Sequence, residues 1–95
     1  MARNSVGSEQ LTVDNTTGGV SLTVPGRAKR ALMSLRSGQI RFLDNGTAPT
    51  SALGHALSSG DVVEYLDDNY QSALTAFRAI RTGGTSGTLD ITYYD

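Results

Sequence analysis

The chain holds one histidine, nine carboxylates and no cysteine, so its chemistry must rest on few side chains. Without cysteine it can form no disulfide, no thiolate nucleophile and no cysteine-ligated zinc or iron–sulfur site. His55 alone cannot build a metal site from imidazoles. No Ser-centred nucleophile motif or obvious carboxylate partner accompanies it, so it reads as a loop histidine capping a turn. Carboxylates gather at Asp61-Val62-Val63-Glu64 and at Asp67-Asp68-Asn69. Side chains alternate along a strand, which puts residues 61 and 64 on opposite faces and disfavours a paired acid and base. Asp67, Asp68 and Asn69 lack the spacing and the distal glutamate of a calcium-binding loop, and read as turn and cap residues.

The glycines at 83, 84 and 87 are not followed by the Lys-Ser/Thr of a phosphate cradle, and suit a hairpin loop. Asn15-Thr16-Thr17 and Asn45-Gly46-Thr47 match the glycosylation sequon, but both read as turns because no secretory leader is evident. Arg27-Ala28-Lys29-Arg30 forms a short basic patch, to which Arg78 and Arg81 add two charges. The last two lie three apart and fall on different faces of any strand. No set of stacking aromatics accompanies these charges, and the net charge is only −1. A dedicated nucleic-acid binder is usually strongly basic and carries such aromatics, so contact with an acidic partner protein fits at least as well.

That charge is unevenly spread. Five basic and two acidic residues lie up to Arg36, against three basic and seven acidic from Ser37 onward. Such polarity would let copies dock head to tail, although a mixed solvated surface is the simpler reading.

The elements that must position these groups are short and β-patterned. Residues 1–8 are polar and read as a flexible N-terminal arm, leaving residues 9–95 as one β-sandwich domain. Gln10 to Asp14 and Val20 to Val24 alternate polar and apolar, and the turn Asn15 to Gly19 between them suggests a hairpin. Ala31, Met33 and Leu35 fit one face of a strand, as do Ile40 and Phe42 after the turn Ser37-Gly38. Asn45-Gly46 is a tight-turn signal, and Thr47 to Gly60 is loop-like. Asp61 to Leu66 and Thr75 to Arg81 read as strands, with one helical turn over Tyr70 to Leu74 capped by Asp68 and Gln71. Thr88 to Tyr94 is the clearest strand, with Leu89, Ile91 and Tyr93 facing in. About seven short strands, with no long amphipathic helix between them, imply an all-β fold. It should be a small antiparallel β-sandwich, Ig-like or jelly-roll-like. No apolar run is long enough to span a membrane.

Ile40 to Leu57, I-R-F-L-D-N-G-T-A-P-T-S-A-L-G-H-A-L, resembles a recurrent pattern in small tailed-bacteriophage virion proteins. In that group a strand of the type I-R-Y/F precedes D-G-T-x-P-T and then V/L-G-H-x-L. The similarity continues through Ser59-Gly60-Asp61-Val62 and Phe77 to Arg81, and closes with Ser86 to Tyr94, so it covers residues 10–94. The D-G-T-x-P-T segment also resembles the Ig-like accessory domain of chitobiases. This chain departs from both by inserting Asn45 between Asp44 and Gly46. Motifs of this kind build turns, so no catalytic residue carries over.

The resemblance implies a virion structural protein, assembled in the host cytoplasm. The first expectation is a head decoration (cement) protein that binds the capsid exterior and stabilises it, its partners the major capsid protein or other virion proteins. It would act as a homo-oligomer in the assembly, without cofactor, nucleic acid or membrane. Arg3, Arg27, Lys29 and Arg30 are the candidate contact residues. The alternatives are a neck or tail component and a carbohydrate-binding β-sandwich module. An enzyme is not expected.

Overall fold

Strands form where apolar and polar side chains alternate, because each strand then buries one face and solvates the other. The computed structural model describes residues 4–66 and 69–95, and within them eight strands and one short helix follow the sequence. They are β1 (Ser5–Val13), β2 (Val20–Ser21), β3 (Arg30–Ser37), β4 (Gln39–Leu43), β5 (His55–Ser58), β6 (Val62–Tyr65), α1 (Gln71–Thr75), β7 (Arg78–Arg81) and β8 (Gly87–Tyr94). Leu89, Ile91 and Tyr93 of β8 are buried, as are Ala31, Met33 and Leu35 of β3 and Ile40 and Phe42 of β4. These are the inward faces that alternation predicts.

The strands form two antiparallel four-stranded sheets, in the orders β1-β8-β3-β6 and β2-β7-β4-β5. The pairs β4–β5, β3–β6, β2–β7 and β1–β8 nest one inside the next. A long antiparallel ribbon has thus been folded over on itself, and β3–β8 and β4–β7 ladders seal the roll. This strand order is that of a jelly roll, an architecture that leaves few open sheet edges. Of the two sandwich types expected, the immunoglobulin-like one is therefore not adopted.

The roll overturns several local expectations. Only β4 and β5 are consecutive strands of one sheet; every other connection crosses between sheets. The first two runs accordingly do not form a hairpin, since β1 pairs with β8 while β2 pairs with β7. Residues 5–8, expected as part of a free arm, lie in β1, and their partners are at the end of β8. Local composition cannot reveal a partner eighty residues away. The strand over 20–24 shrinks to Val20–Ser21 because the Thr23 amide donates to the Glu9 carboxylate (3.0 Å) rather than to a neighbouring strand. β5 lies inside the segment read as loop, and 82–87 connects two sheets instead of closing a hairpin. The expected strand over 75–81 starts only at Arg78, because Thr75 and Ala76 finish α1.

That helix is close to its expected position. Its first turn is met by Asn69, whose side-chain oxygen accepts the Gln71 amide (3.0 Å); Asp67 and Asp68 lie outside the described residues. Leu74 anchors the helix in the core, and Phe77 just beyond it stacks on Phe42 with ring centroids 5.1 Å apart. The buried side chains of both sheets form one core, from Val13 and Tyr93 at one sheet to Ile40 and Leu57 at the other.

The tightest point of the roll is where two sheet-to-sheet connections pass each other. Gly38 has φ +84°, and a Cβ there would lie 2.8 Å from the Cα of Gly87. A Cβ on Gly87 would in turn meet Ile40 Cγ2 at 2.7 Å. No side chain fits between the two crossings without pushing them apart. Gly87→Ala should cost about 1–3 kcal/mol of stability by overpacking. Gly26→Ala, whose added carbon meets nothing within 4 Å, should stay within about 0.5 kcal/mol. Urea unfolding midpoints compare the two directly, and equal midpoints would refute the tight crossing.

Candidate functional site

Of the four candidate contact residues, Arg3 lies outside the described residues. The other three sit at one end of the sandwich, where the start of β3 meets the end of β8 and the start of β1. The backbone ties this end together: Lys29 donates to the Tyr94 carbonyl (2.9 Å), Tyr70 to the Lys29 carbonyl (2.7 Å) and Asp95 to the Asn4 carbonyl (3.1 Å). Arg27 and Arg30 both turn onto Asp95. Arg27 Nη2 lies 3.1 Å from the Asp95 carboxylate, and Arg30 Nη1 donates to the Asp95 backbone oxygen at 2.7 Å. Both are thereby engaged with the residue that follows β8. Lys29 differs from them: it is exposed, and its ammonium pairs with no group among the described residues.

The same geometry dissolves the charge polarity read along the chain. Because β8 lies between β1 and β3, basic residues of the first third meet acidic residues of the last. Arg36 Nε pairs with Asp90 at 3.0 Å, alongside the Arg27–Asp95 pair. These two pairs join residues of the basic first third to acidic residues near the end of the chain. Arg27 is 77% exposed, so its ion pair is screened and contributes little.

A second place where function could reside is the connection between β4 and β5, residues 44–54, which carries the whole D-N-G-T-A-P-T segment. It is a clamped loop rather than a tight turn. Thr50 and Leu53 exchange backbone hydrogen bonds (3.0 and 3.2 Å), and the Thr50 hydroxyl accepts the Ala52 amide. Arg41, on the outer face of β4, donates to the carbonyls of Ser51 (3.1 Å) and Gly54 (2.8 Å). Pro49 is fully buried and fastens the middle of the loop. At the loop's base Asp44 accepts the Tyr65 hydroxyl at 2.6 Å. With these bonds in place the loop holds Leu53 out in solvent, 49% exposed. Val62 of β6, 54% exposed, is the other large apolar side chain so displayed among the described residues. Neither was singled out from the sequence, because an exposed leucine and a core leucine look alike until the partners are known.

Two buried tyrosines and one carboxylate have shifted titration. The Tyr93 hydroxyl donates to Glu9 (2.7 Å), and that carboxylate also takes the Thr23 amide. Burial, then the hydrogen bond to Glu9, pushes the Tyr93 hydroxyl far above its ordinary range; burial and Asp44 do the same to Tyr65. Asp14 moves the other way, its carboxyl lowered by hydrogen bonds from the Thr16 hydroxyl and amide. All three shifts lead away from neutrality, whereas a general acid or base works best near it. His55 is not in a loop but in β5, opposite Phe42, with the rings 5.3 Å apart. No three metal-ligating side chains converge among the described residues.

The aromatic residues bear on glycan binding. Phe42, Phe77, Tyr65 and Tyr93 are buried, and Tyr70 packs edge-on against Tyr65. Tyr93 and Tyr94 face opposite sides, as their adjacency on a strand requires. A flat exposed aromatic row is not what these positions build.

Comparison of the chain with protein-family models, with curated proteins and with solved structures gives no match.

Two outcomes follow. Arg27→Ala should lower stability by less than about 1 kcal/mol, read from denaturant unfolding. Tyr65 and Tyr93 bind their protons more tightly folded than unfolded, so their stabilisation is complete below about pH 10 and is lost as pH rises beyond it. Tyrosinate absorbance from these two should appear only together with loss of the β-sheet circular dichroism. Tyrosinate from all four tyrosines in a still-folded protein would contradict this.

Proposed function

We propose that this chain is a bacteriophage virion structural protein, a head decoration protein that binds the outside of the capsid and stabilises it. The reading rests on the resemblance over residues 10–94. One observation supports it best: the most distinctive stretch of that resemblance, residues 40–57, folds as the β4–β5 hairpin with its clamped loop. In such a role the loop offers a rigid surface at low entropic cost, because its backbone is already fixed before any contact is made. Leu53 supplies apolar area, and the exposed Lys29 supplies a charge for steering. Many copies on a symmetric lattice multiply a contact that is weak in each copy.

The partner is the major capsid protein, and the protein works by bridging its subunits. No covalent step is involved. Two other roles are separable by experiment. A neck or tail component would be present in few copies per particle, and a carbohydrate-binding module would retain a glycan and leave the capsid unaffected.

Capsids prepared with and without the protein should differ in outer density by electron cryomicroscopy and in the temperature at which they rupture. Quantitative gel staining should give a copy number approaching that of the capsid protein. Replacing Leu53 by Asp should weaken capsid binding at least about ten-fold while leaving the fold intact, since the side chain is exposed. A low copy number would move the assignment to neck or tail; unchanged rupture and no added density would end the decoration reading.

A further inference from the structure

Asn45 is the residue by which the chain departs from the pattern it resembles, and its side chain makes a single local turn contact, to the Thr47 amide. We infer that Asn45 is a self-modification site, at which the Gly46 backbone nitrogen attacks the Asn45 side-chain carbonyl and the asparagine converts to aspartate and isoaspartate. This inference is independent of the proposed function.

Four features of the loop support it. Asn45, Gly46 and Thr47 are all exposed, so water and base reach the reacting atoms. Gly46 has φ +86°, and a Cβ there would meet nothing within 4 Å, so no side chain or neighbour blocks closure of a five-membered ring. The Gly46 amide donates to no group among the described residues, so attack breaks no hydrogen bond. The Thr47 amide, finally, donates to Asn45 Oδ1 at 3.0 Å. That oxygen gathers negative charge as the nitrogen adds to Cγ, and a donor already aimed at it stabilises the charge as it develops.

The other three asparagines serve as internal controls. Asn69 makes the same type of turn, its Oδ1 accepting the Gln71 amide at 3.0 Å. The nitrogen that would have to attack there, that of Tyr70, is held by the Lys29 carbonyl at 2.7 Å, and the Tyr70 ring is packed on Tyr65. Asn15 is followed by β-branched Thr16, whose amide donates to Asp14 at 2.9 Å. Asn4 is followed by Ser5, which is already part of β1.

The atoms balance with water as the only co-reactant. A bond forms between Gly46 N and Asn45 Cγ, and the Gly46 amide proton passes to solvent. The Cγ–Nδ2 bond breaks, and the nitrogen leaves as ammonia after taking up a proton. One water then opens the succinimide. Opening at Cγ yields aspartate in the original main chain, whereas opening at the Asn45 backbone carbonyl routes the chain through Cγ as isoaspartate. Either product places a new carboxylate beside Asp44, the group that accepts the Tyr65 hydroxyl, and isoaspartate also adds a methylene to the main chain. The base of the β4–β5 loop therefore changes charge and length with age.

The test uses the full-length folded protein, incubated in mildly alkaline buffer and sampled over time. Peptide mapping by mass spectrometry follows amide loss at each asparagine, and methyl transfer by an isoaspartyl methyltransferase counts isoaspartate. Asn45 should convert at least about ten-fold faster than Asn4, Asn15 or Asn69, a difference of about 1.4 kcal/mol in barrier. Asn45→Gln should abolish most methyl uptake, and Gly46→Ala should slow conversion at Asn45. Because the comparison among the four sites is made in the unaltered chain, a misfolded variant does not blur the result. Conversion at Asn45 no faster than at Asn69, or none at all, overturns the inference.

Discussion

Everything in this fold depends on two connections passing each other at van der Waals contact. A ribbon of four nested strand pairs can close into a sandwich only if its chain crosses between sheets repeatedly. At Gly38 and Gly87 two of those crossings lie against each other with no room for a side chain between them. If they separated, β3 and β4 could not both reach β8 and β7, and the ladders that seal the roll would be lost. Excluded volume at this one place keeps the two crossings free of side chains.

Once the roll is closed, it rearranges the electrostatics of the chain. Strand β8 lies between β1 and β3, so acidic residues near one terminus meet basic residues from the other third of the sequence. The pairs Arg36–Asp90 and Arg27–Asp95 are exposed and contribute little energy individually. They engage Arg27 and Arg36 within the molecule, whereas Lys29 is exposed to solvent. Hydrogen-bonded tyrosines behave similarly. Glu9 and Asp44 satisfy the buried hydroxyls of Tyr93 and Tyr65, which a buried phenol requires, and both carboxylates are thereby committed to structure.

Among the connections between strands, the β4–β5 loop is held by several hydrogen bonds of its own. Arg41 braces it from below through two carbonyls, and Pro49 is buried beneath it. A loop held so firmly presents Leu53 in one position. The Asn45-Gly46 step near its start is the exception, exposed and with no backbone hydrogen bond at Gly46 among the described residues.

Much of this was legible in the residues themselves. Alternation in Thr88 to Tyr94, in Arg30 to Ser37 and in Gln39 to Leu43 determined the strands and their inward faces, because burial of one face is a local property of a two-residue period. The all-β class, the short helix near 71–75 and the opposed faces of Arg78 and Arg81 were determined in the same way. Strand partnership was not legible. Residues 5–8 looked like a free arm and the first two runs like a hairpin because β1 and β2 gain their partners from far along the chain, and 55–58 looked like loop because its partner β4 lies across a long connection without strand pattern. Nor could Arg27 and Arg30 be told apart from Lys29 until Asp95 was brought to them. Local pattern sets which face of a segment seeks burial; only the closed tertiary structure, through long-range backbone pairing and excluded volume, decides against what.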